Sequence, residues 1–456
     1  MTTLFAFVVT LAILIAVHEY GHYRMALACH VRVLRFSIGF GPVVWKRRRA
    51  SDGCEFALSL LPLGGYVKML DERESPVPHE LAEFAYNRRP LWQRSAIVAA
   101  GPLANLILAV ALYAGLSWWG ESEPKAVIAQ PAATSAAQRA GLRAGDWIQS
   151  WAMQDQEWQE VRSLTDLNWK LAGLSSEVSS VELLVSDRWG RGSRRISLPL
   201  ERPTSPESEL ARGRQLGLGM PFSEPVLGEV KPQGPAFMAG LRSGDRVLRV
   251  DDRLIVDAQS LKSLIRAHTT EGAEVPAMRW VIERQGQTLE LEVRPRIHRE
   301  GTSAPVGRID AFVGSPPEMV RLQRGPWEGV AHGVYRTWDI SWVSLKMLGK
   351  MLVGEASVRN LSGPLTIADY AGQSAQNGLP TYIGFLALIS VSLGILNLLP
   401  LPMLDGGHLM YHLFEGLTGR PVPDAWLDRL QKGGVVLLVI LMSVALFNDV
   451  VRLLGL

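Results

Sequence analysis

Four long apolar stretches dominate the pattern of hydrophobic and polar positions along the chain. They cover about residues 3–27, 96–119, 382–401 and 433–454. A helix needs about 20 mainly apolar residues to cross a bilayer, and each stretch is long enough. The pattern therefore predicts a multi-span α-helical membrane protein with four transmembrane helices.

Between the first two apolar stretches, residues 31–94 alternate short apolar runs with glycine and proline. Such runs favour β-hairpins, and we expect a membrane-associated β-hairpin layer here. An edge strand at Gly64, Gly65 and Tyr66 would be able to pair with an extended substrate by strand addition. The alternative is a small β layer that only packs against the helices.

Residues from about 120 to 325 are soluble in composition and contain an internal repeat. The motif A-G-L-R-A-G-D begins at Ala140, and A-G-L-R-S-G-D begins at Ala239, 99 residues later. This spacing, with alternating strand patterns after each copy, predicts two inserted β-rich α+β domains of about 90 residues. The motif resembles bacterial PDZ domains, and residues 216–222 resemble their carboxylate-binding loop. The pair would either bind peptide C-termini or act as a size filter.

After the repeat, residues 326–358 show the spacing of an amphipathic helix, which would lie on a membrane surface or pack on the PDZ pair. The predicted organisation is a first span at 1–30, a cytoplasmic β region at 31–94, a second span at 95–119, PDZ domains at 120–215 and 216–300, a post-PDZ segment at 301–380, a third span at 381–402, a loop at 403–432 and a fourth span at 433–456.

Charge changes this picture in two ways. The net charge is only +3, and the chain has no basic tract with interleaved aromatics beyond residues 46–49, which argues against nucleic acid binding. Lysine and arginine are concentrated between the first two spans, so this loop is cytoplasmic by the positive-inside rule. The N-terminus, the PDZ pair and the C-terminus are then outside. Residues 1–7 carry no lysine or arginine, so the first span is not a cleaved signal peptide.

The cysteine content favours free thiols rather than a disulfide framework. Cys29 and Cys54 both precede the second span, in the loop assigned to the reducing side of the membrane. We expect both to be unpaired.

Candidate chemistry begins inside the first apolar stretch, which contains H-E-x-x-H at residues 18–22. On a helix, His18 and His22 project from one face and can bind one Zn²⁺, while Glu19 lies beside its water. Ionisable side chains inside a span are costly and usually functional. The motif therefore predicts a catalytic zinc site.

A catalytic zinc needs a third protein ligand and one open position. Asp405, between two prolines upstream and a glycine pair downstream, is one candidate. The other is the pair His408 and His412, spaced four residues apart. Asn105, inside the second span, would either contribute to the catalytic cavity or form a hydrogen bond between helices.

Together these motifs resemble the site-2 protease family: H-E-x-G-H in a first span, N-x-x-P-x-P-x-x-D-G-G in a third, and two PDZ-like domains between spans two and three. The resemblance also includes the hairpin at residues 62–68 and the segment at residues 361–364. It implies zinc bound by His18, His22 and Asp405, with Glu19 as acid and base. It also implies that Asn397, Pro400 and Pro402 seat the substrate, and that the hairpin at Gly64 and Gly65 pairs with an unwound substrate strand.

The expected activity is cleavage of single-span membrane proteins, already trimmed outside, by an intramembrane zinc endopeptidase of the bacterial inner membrane. The expected substrates are an anti-sigma factor and remnant signal peptides, with lipid as the surrounding partner and possible peptide C-termini at the PDZ domains. A transmembrane helix hides its carbonyl groups in hydrogen bonds, so the substrate must unwind first. The alternatives are a catalytically inactive scaffold and a tethered protease that cuts outside the membrane.

Overall fold

The computed structural model describes residues 2–49, 52–74, 76–153, 156–172, 174, 178–200, 216–269, 276–299, 305–353 and 363–453. In these ranges the α-helices are α1 Thr2–Ala28, α2 Leu91–Trp119, α3 Ala136–Arg139, α4 Leu164–Ala172, α5 Pro235–Met238, α6 Ala258–Ala267, α7 Pro326–Leu352, α8 Pro364–Gln376, α9 Leu379–Leu398, α10 Asp405–Thr418 and α11 Asp424–Leu453. Short 3-10 helices cover His79–Phe84 and Tyr86–Arg88.

The strands are β1 Val33–Arg48, β2 Glu55–Met69, β3 Glu121–Pro124, β4 Trp147–Met153, β5 Gln159–Glu160, β6 Ser180–Ser186, β7 Arg194–Pro199, β8 Leu227–Val230, β9 Arg246–Val250, β10 Arg253–Leu254, β11 Met278–Arg284, β12 Gln287–Val293, β13 Arg296–His298, β14 Val306–Arg308, β15 Ala311–Val313 and β16 Met319–Leu322. The chain divides into two compact units. The first contains Met1–Trp119 and Arg324–Leu456, and the second contains Gly120–Gln323.

Four helices have the length and composition of membrane spans: Thr2–Ala28, Leu91–Trp119, Leu379–Leu398 and Ala425–Val451. The prediction of four spans is confirmed on these grounds. The third helix ends three residues earlier than its apolar run, at Leu398. Leu399 is extended, with ψ 144°, because a residue that precedes proline is disfavoured in the helical region.

The first unit is built around α2. Ala109, Tyr113 and Leu116 of α2 are buried against Val391 and Ile395 of α9. Helix α2 also packs against α1, α7 and α10. A polar contact joins α1 to α9. The hydroxyl of Tyr382 donates to the carbonyl of Ala6 at 3.0 Å and lies 2.8 Å from the hydroxyl of Thr10.

A carboxylate in the fourth span is accounted for by a helix cap. The carboxylate of Asp449 is buried and accepts hydrogen bonds from the backbone of Gly363, Leu365 and Thr366, at 2.9 to 3.1 Å, and from the Thr366 hydroxyl at 2.5 Å. It thereby satisfies the free N–H groups at the start of α8. Of residues 361–364, singled out in the sequence, 361 and 362 lie outside the described residues.

The amphipathic helix α7 packs on the spans of its own unit. The indole of Trp118, at the end of α2, donates to the carbonyl of Pro326 at 3.1 Å. Ile340 packs against the core shared by α2 and α9. The sequence offered a membrane surface or the PDZ pair as the partner of this helix, and the structure adds a third: α2 and α9.

Strands β1 and β2 form one long antiparallel pair with a double register. Arg35 is opposite both Glu55 and Lys68, and Ile38 is opposite both Leu58 and Gly65. Residues 33–38 therefore lie between two segments of β2, and residues 65–69 form an edge. Cys29 and Cys54 are buried and free, as predicted, and burial raises the pKa of Cys54 to about 11.

The second unit contains two four-stranded sheets of the same connectivity. Their strand orders are β5-β4-β6-β7 and β10-β9-β11-β12. Both copies of the repeated motif use the aspartate alike: Asp146 accepts from the backbone of Arg143, and Asp245 accepts from that of Arg242, each at 2.8 Å. The internal duplication is therefore structural as well as sequential. The assignment of the two halves as PDZ domains stays a prediction.

Candidate metal centre

His18 and His22 project from the same face of α1, as residues four apart on a helix do. Their Nε2 atoms lie 3.2 Å apart, and their rings are nearly perpendicular, with an interplanar angle of 82°. Both side chains are about one tenth exposed. Two ring nitrogens thus converge inside an apolar span.

Asp405 is brought to the same point from the other end of the chain. It is the first residue of α10, after a non-helical linker from Leu399 to Leu404. Its Oδ2 lies 3.1 Å from Nε2 of His18 and 3.5 Å from Nε2 of His22. Of the described histidine, cysteine, aspartate and glutamate residues, His18, His22 and Asp405 form one group with metal-ligand spacing, and neither His408 nor His412 belongs to it.

The geometry of these three atoms fits a zinc ion. Zinc binds imidazole nitrogen and carboxylate oxygen at about 2.0–2.2 Å, so tetrahedral ligands lie about 3.3–3.6 Å apart. The three observed separations run from 3.1 to 3.5 Å. Oδ2 of Asp405 is also buried with no hydrogen-bond partner among the described residues, a costly arrangement that a cation would relieve.

The charge state of Asp405 is suited to ligation. Burial alone would raise the pKa of this carboxyl group, but in the metal-free site the two imidazoles beside it, when protonated, hold the pKa at about 2. The group is therefore ionised at neutral pH. The motif that carries it needs its two glycines because a Cβ on Gly406 or Gly407 would meet backbone oxygens of the linker within 2.3 Å.

The orientation of His22 is fixed by α2. Its Nδ1 lies 2.8 Å from the carbonyl oxygen of Ile97. A carbonyl only accepts, so Nδ1 carries the proton and Nε2 presents a lone pair to the metal. The ring also occupies the space beside Gly101, where a Cβ would lie 2.2 Å from Nε2.

His18 is held by a side-chain amide of α2, the helix that also orients His22. Nδ1 of His18 lies 3.3 Å from the side-chain amide of Asn105, which is fully buried. The amide oxygen of Asn105 has no other partner, and a metal-binding His18 would carry its proton on Nδ1. When the oxygen and nitrogen of the Asn105 amide are assigned from this hydrogen-bond pattern, the amide oxygen accepts from Nδ1 of His18. The backbone of Asn105 is tied to α9 by the Ser390 hydroxyl, at 2.7 Å.

Glu19 lies against the edge of the β1–β2 sheet. Its side chain is buried. A Cβ at Gly65 would lie 2.8 Å from its Cγ and 2.9 Å from Ile15. The backbone of the edge strand therefore passes directly over the candidate base, an approach that a side chain at position 65 would block.

A partly polar cavity of about 740 Å³ opens onto Glu19, His22 and Asp405. Titratable groups line it: Asp71, Arg73, Glu74, Arg94, His408, His412 and Glu415. Arg94 binds Glu415 through two nitrogens, at 2.6 and 3.2 Å. Burial and the charge of Arg94 lower the pKa of His412 to about 4, and its Nδ1 lies 3.2 Å from the Ser95 hydroxyl.

The residues predicted to seat the substrate are spread over two places. Gly65 is at Glu19, as described, and Tyr66 follows it on the edge strand, opposite Ser37. Asn397 is half-buried in the last turn of α9, Pro400 is exposed, and Pro402 is half-buried in the linker to Asp405. None of these three lines the cavity.

Sequence reasoning missed two groups at the site. The carbonyl of Ile97 carries no signal in the side-chain pattern. Gly101 carries a weak signal, since glycine next to proline inside an apolar helix is a hint of close approach.

Comparisons with known proteins identify the family of the chain. The chain matches the model of peptidase family M50 over residues 6–441. It is 40% identical to a Ralstonia nicotianae protein provisionally named a zinc metalloprotease, over 99% of both chains. It is 38% identical to the regulator of sigma-E protease RseP of Escherichia coli, over 98% of both chains, and 37% identical to the protease RseP of Yersinia pestis, over 99% of both.

The class of protein follows from two findings. The family model matches nearly the whole chain, and the relatives are 37–40% identical over nearly their full length. The expectation of a site-2 protease is confirmed, and so is zinc as the cofactor. The chain belongs to peptidase family M50 and is a zinc metalloprotease, and four of its helices are long and apolar enough to span a membrane.

Proposed function

We propose that this chain is an intramembrane zinc endopeptidase that cuts single-span membrane proteins within their membrane segment. The observation that carries the proposal is the place of the site. His18, Glu19 and His22 lie within the 27-residue apolar helix α1, and Asp405 reaches the same point. A protease that acts on soluble chains gains nothing from costly ionisable groups in a span.

His18, His22 and Asp405 are the proposed zinc ligands. Zinc held there supplies Lewis-acid chemistry, since it acidifies a water molecule and polarises a peptide carbonyl. Glu19 accepts the proton of the attacking water at its carboxylate and delivers it to the nitrogen of the leaving amine. The cavity beside Glu19, with its charged lining, provides a polar route for water into an otherwise apolar site.

The edge strand is the proposed substrate-binding element. A transmembrane helix hides its carbonyls in internal hydrogen bonds, so the scissile segment must be extended before it can react. Residues 65–69 pair with β1 on one side only. A peptide added to the free side by strand addition would run past Gly65, and hence across Glu19. Asn397, Pro400 and Pro402 would position the same segment from the linker side.

The proposed substrates are membrane-anchored proteins already trimmed outside, an anti-sigma factor among them, and remnant signal peptides. The relatives named as regulators of sigma-E protease support this class. The proposed location is the bacterial inner membrane, with residues 31–94 associated with its cytoplasmic side and the two inserted domains in the periplasm. There the inserted domains would act as PDZ modules that bind peptide termini or exclude bulky substrates.

Mapping the cut tests this proposal against a tethered protease. The purified chain is incubated in detergent with a single-span substrate that also has an extended external segment, and the fragments are weighed by mass spectrometry. We expect a cut within the apolar segment, and more of it when a helix-breaking residue is placed there. A cut confined to the external segment would overturn the proposal.

A further inference from the structure

The second half of β1 forms an exposed arm on the sheet edge away from Gly65. Residues 43–48 return along β2, with Val43 opposite Ser59 and Arg48 opposite Glu55. Every residue from Phe40 to Arg48 is exposed. We call residues 43–48 the outer arm. It is the free edge of the sheet opposite the proposed substrate edge.

The first half of the outer arm is apolar. Val43, Val44 and Trp45 are 39%, 65% and 54% exposed. Neighbouring apolar side chains of the same hairpin are also exposed, namely Phe40, Leu58, Leu60 and Leu61. A contiguous exposed apolar surface of this kind marks an interaction site, not an ordinary solvated face.

The register shows how deep this apolar part lies relative to the first span. Trp45 is opposite Leu58, Leu58 is opposite Ile38, and Ile38 is opposite Gly65. Gly65 contacts Ile15 and Glu19 of α1. Glu19 is nine residues from the end of α1 at Ala28, or about 14 Å at 1.5 Å per residue. The apolar half of the arm is therefore level with the interior of a membrane span.

The second half of the arm is basic and lies level with the end of the span. Arg47 is opposite Phe56, whose ring centroid is 5.5 Å from that of Tyr23. Arg49, two residues further along and just beyond the arm, donates to the Tyr23 hydroxyl at 2.9 Å. Tyr23 is in the last quarter of α1, where a span reaches the headgroup region.

Two cations of the outer arm, Lys46 and Arg47, have no ion-pair partner within the described chain. Arg48 donates to the carbonyl of Gly53, and Arg49 contacts Tyr23 and Asp52. No described acidic group lies within ion-pair distance of Lys46 or Arg47, and both are exposed. Unpaired cations next to an apolar surface are complementary to an anionic headgroup above acyl chains.

We propose that the outer arm is a docking site for anionic phospholipid. Val43, Val44 and Trp45 lie among acyl chains, and Lys46 and Arg47 bind lipid phosphate. The contact anchors the same sheet whose other edge passes over Glu19. It depends on the membrane assignment of α1, and not on the chemistry of the zinc site.

Lipid retention tests the charged half. The full chain is reconstituted in nanodiscs of phosphatidylcholine with phosphatidylglycerol, extracted, and its bound lipid is counted by native mass spectrometry. We expect Lys46→Gln with Arg47→Gln to lower phosphatidylglycerol binding by roughly fivefold for each cation removed. The matched control is Arg249→Gln with Arg253→Gln, which removes two exposed cations of the second unit. This control should leave phosphatidylglycerol binding unchanged.

Depth measurement tests the apolar half. Cys29 and Cys54 are buried, so a nitroxide can be directed to Val44→Cys, with Leu254→Cys, 75% exposed in the second unit, as the aqueous control. We expect the label at 44 to collide with oxygen and to be shielded from a water-soluble nickel chelate. Equal phosphatidylglycerol binding in the variant and the wild type, or a label at 44 as accessible to nickel as that at 254, would overturn the proposal. Neither readout requires cleavage, so the result is separate from the proposed function.

Discussion

A Cβ atom at Gly101 would lie 2.2 Å from Nε2 of His22. The second span thus leaves room for the ring of a candidate ligand by omitting a side chain at this position. The carbonyl of Ile97, one turn earlier on the same helix, fixes the ring from Nδ1. Helix α2 therefore shapes half of the metal centre without contributing a ligand.

We expect Gly101→Ala to displace His22 and lower zinc affinity. A group that orients a zinc ligand is worth about 10- to 100-fold in affinity, and a methyl group at this distance cannot be accommodated without moving the ring. Zinc affinity is measured by competition with a chromogenic chelator. The matched control is Gly115→Ala on the same helix, where a Cβ meets nothing within 4 Å. Equal zinc affinity in the two variants would contradict the account.

Asn105 is expected to act as a positioning residue for His18. Asn105→Leu removes the acceptor for Nδ1 of His18, so we expect zinc affinity to fall by about 10- to 100-fold. Asn105→Asp keeps an oxygen at this place and should recover most of the affinity. A purely structural role would make both variants equally poor, and the difference between them is therefore the decisive readout.

The edge strand should contact substrate. A photo-crosslinking amino acid at Tyr66, next to Gly65, is expected to link to a single-span substrate held by the inactive Glu19→Gln variant. The same amino acid at Leu60, an exposed position elsewhere on the hairpin, serves as the control and should link mainly to lipid. Equal substrate crosslinking at both positions would argue against strand addition at this edge.

Stability should fall in mild acid through His412. Its folded-state pKa is lowered from 6.5 to about 4 by burial and the nearby Arg94, so the unfolded chain takes up a proton first. The stabilisation is fully present above pH 6.5 and is lost as the pH falls from about 6.5 to 4. Thermal inactivation in detergent should therefore depend on pH more steeply for the wild type than for His412→Gln, which does not titrate. Parallel pH profiles would refute the assignment.

The sequence predicted the parts of the site that depend on local spacing. The histidine pair follows from helical periodicity, and the spans follow from the length of the apolar runs. Asp405 is 383 residues beyond His22. Spacing alone did not decide whether the third zinc ligand is Asp405 or comes from the pair His408 and His412. Only the break before Pro400, which ends α9 at Leu398, turns the chain so that Asp405 meets the first span.

Contacts that depend on the register between elements could not be predicted from the sequence. The Ile97 carbonyl, the Asn105 amide and the approach of Gly65 to Glu19 all require knowing which residues of α1, α2 and the sheet stand at the same level. The packing partner of α7 could not be predicted for the same reason. Its amphipathic pattern fixes an apolar face but not the surface that covers it, and α2 and α9 were not among the partners considered.

The most direct test of the account compares zinc content and cleavage in Glu19→Gln. Because Glu19 is assigned as the acid and base, and not as a ligand, the variant should retain one zinc per chain and lose all cleavage of a single-span substrate. His22→Ala, by contrast, should lose both. Cleavage at the wild-type rate by Glu19→Gln, or loss of its zinc together with activity, would contradict the central claim.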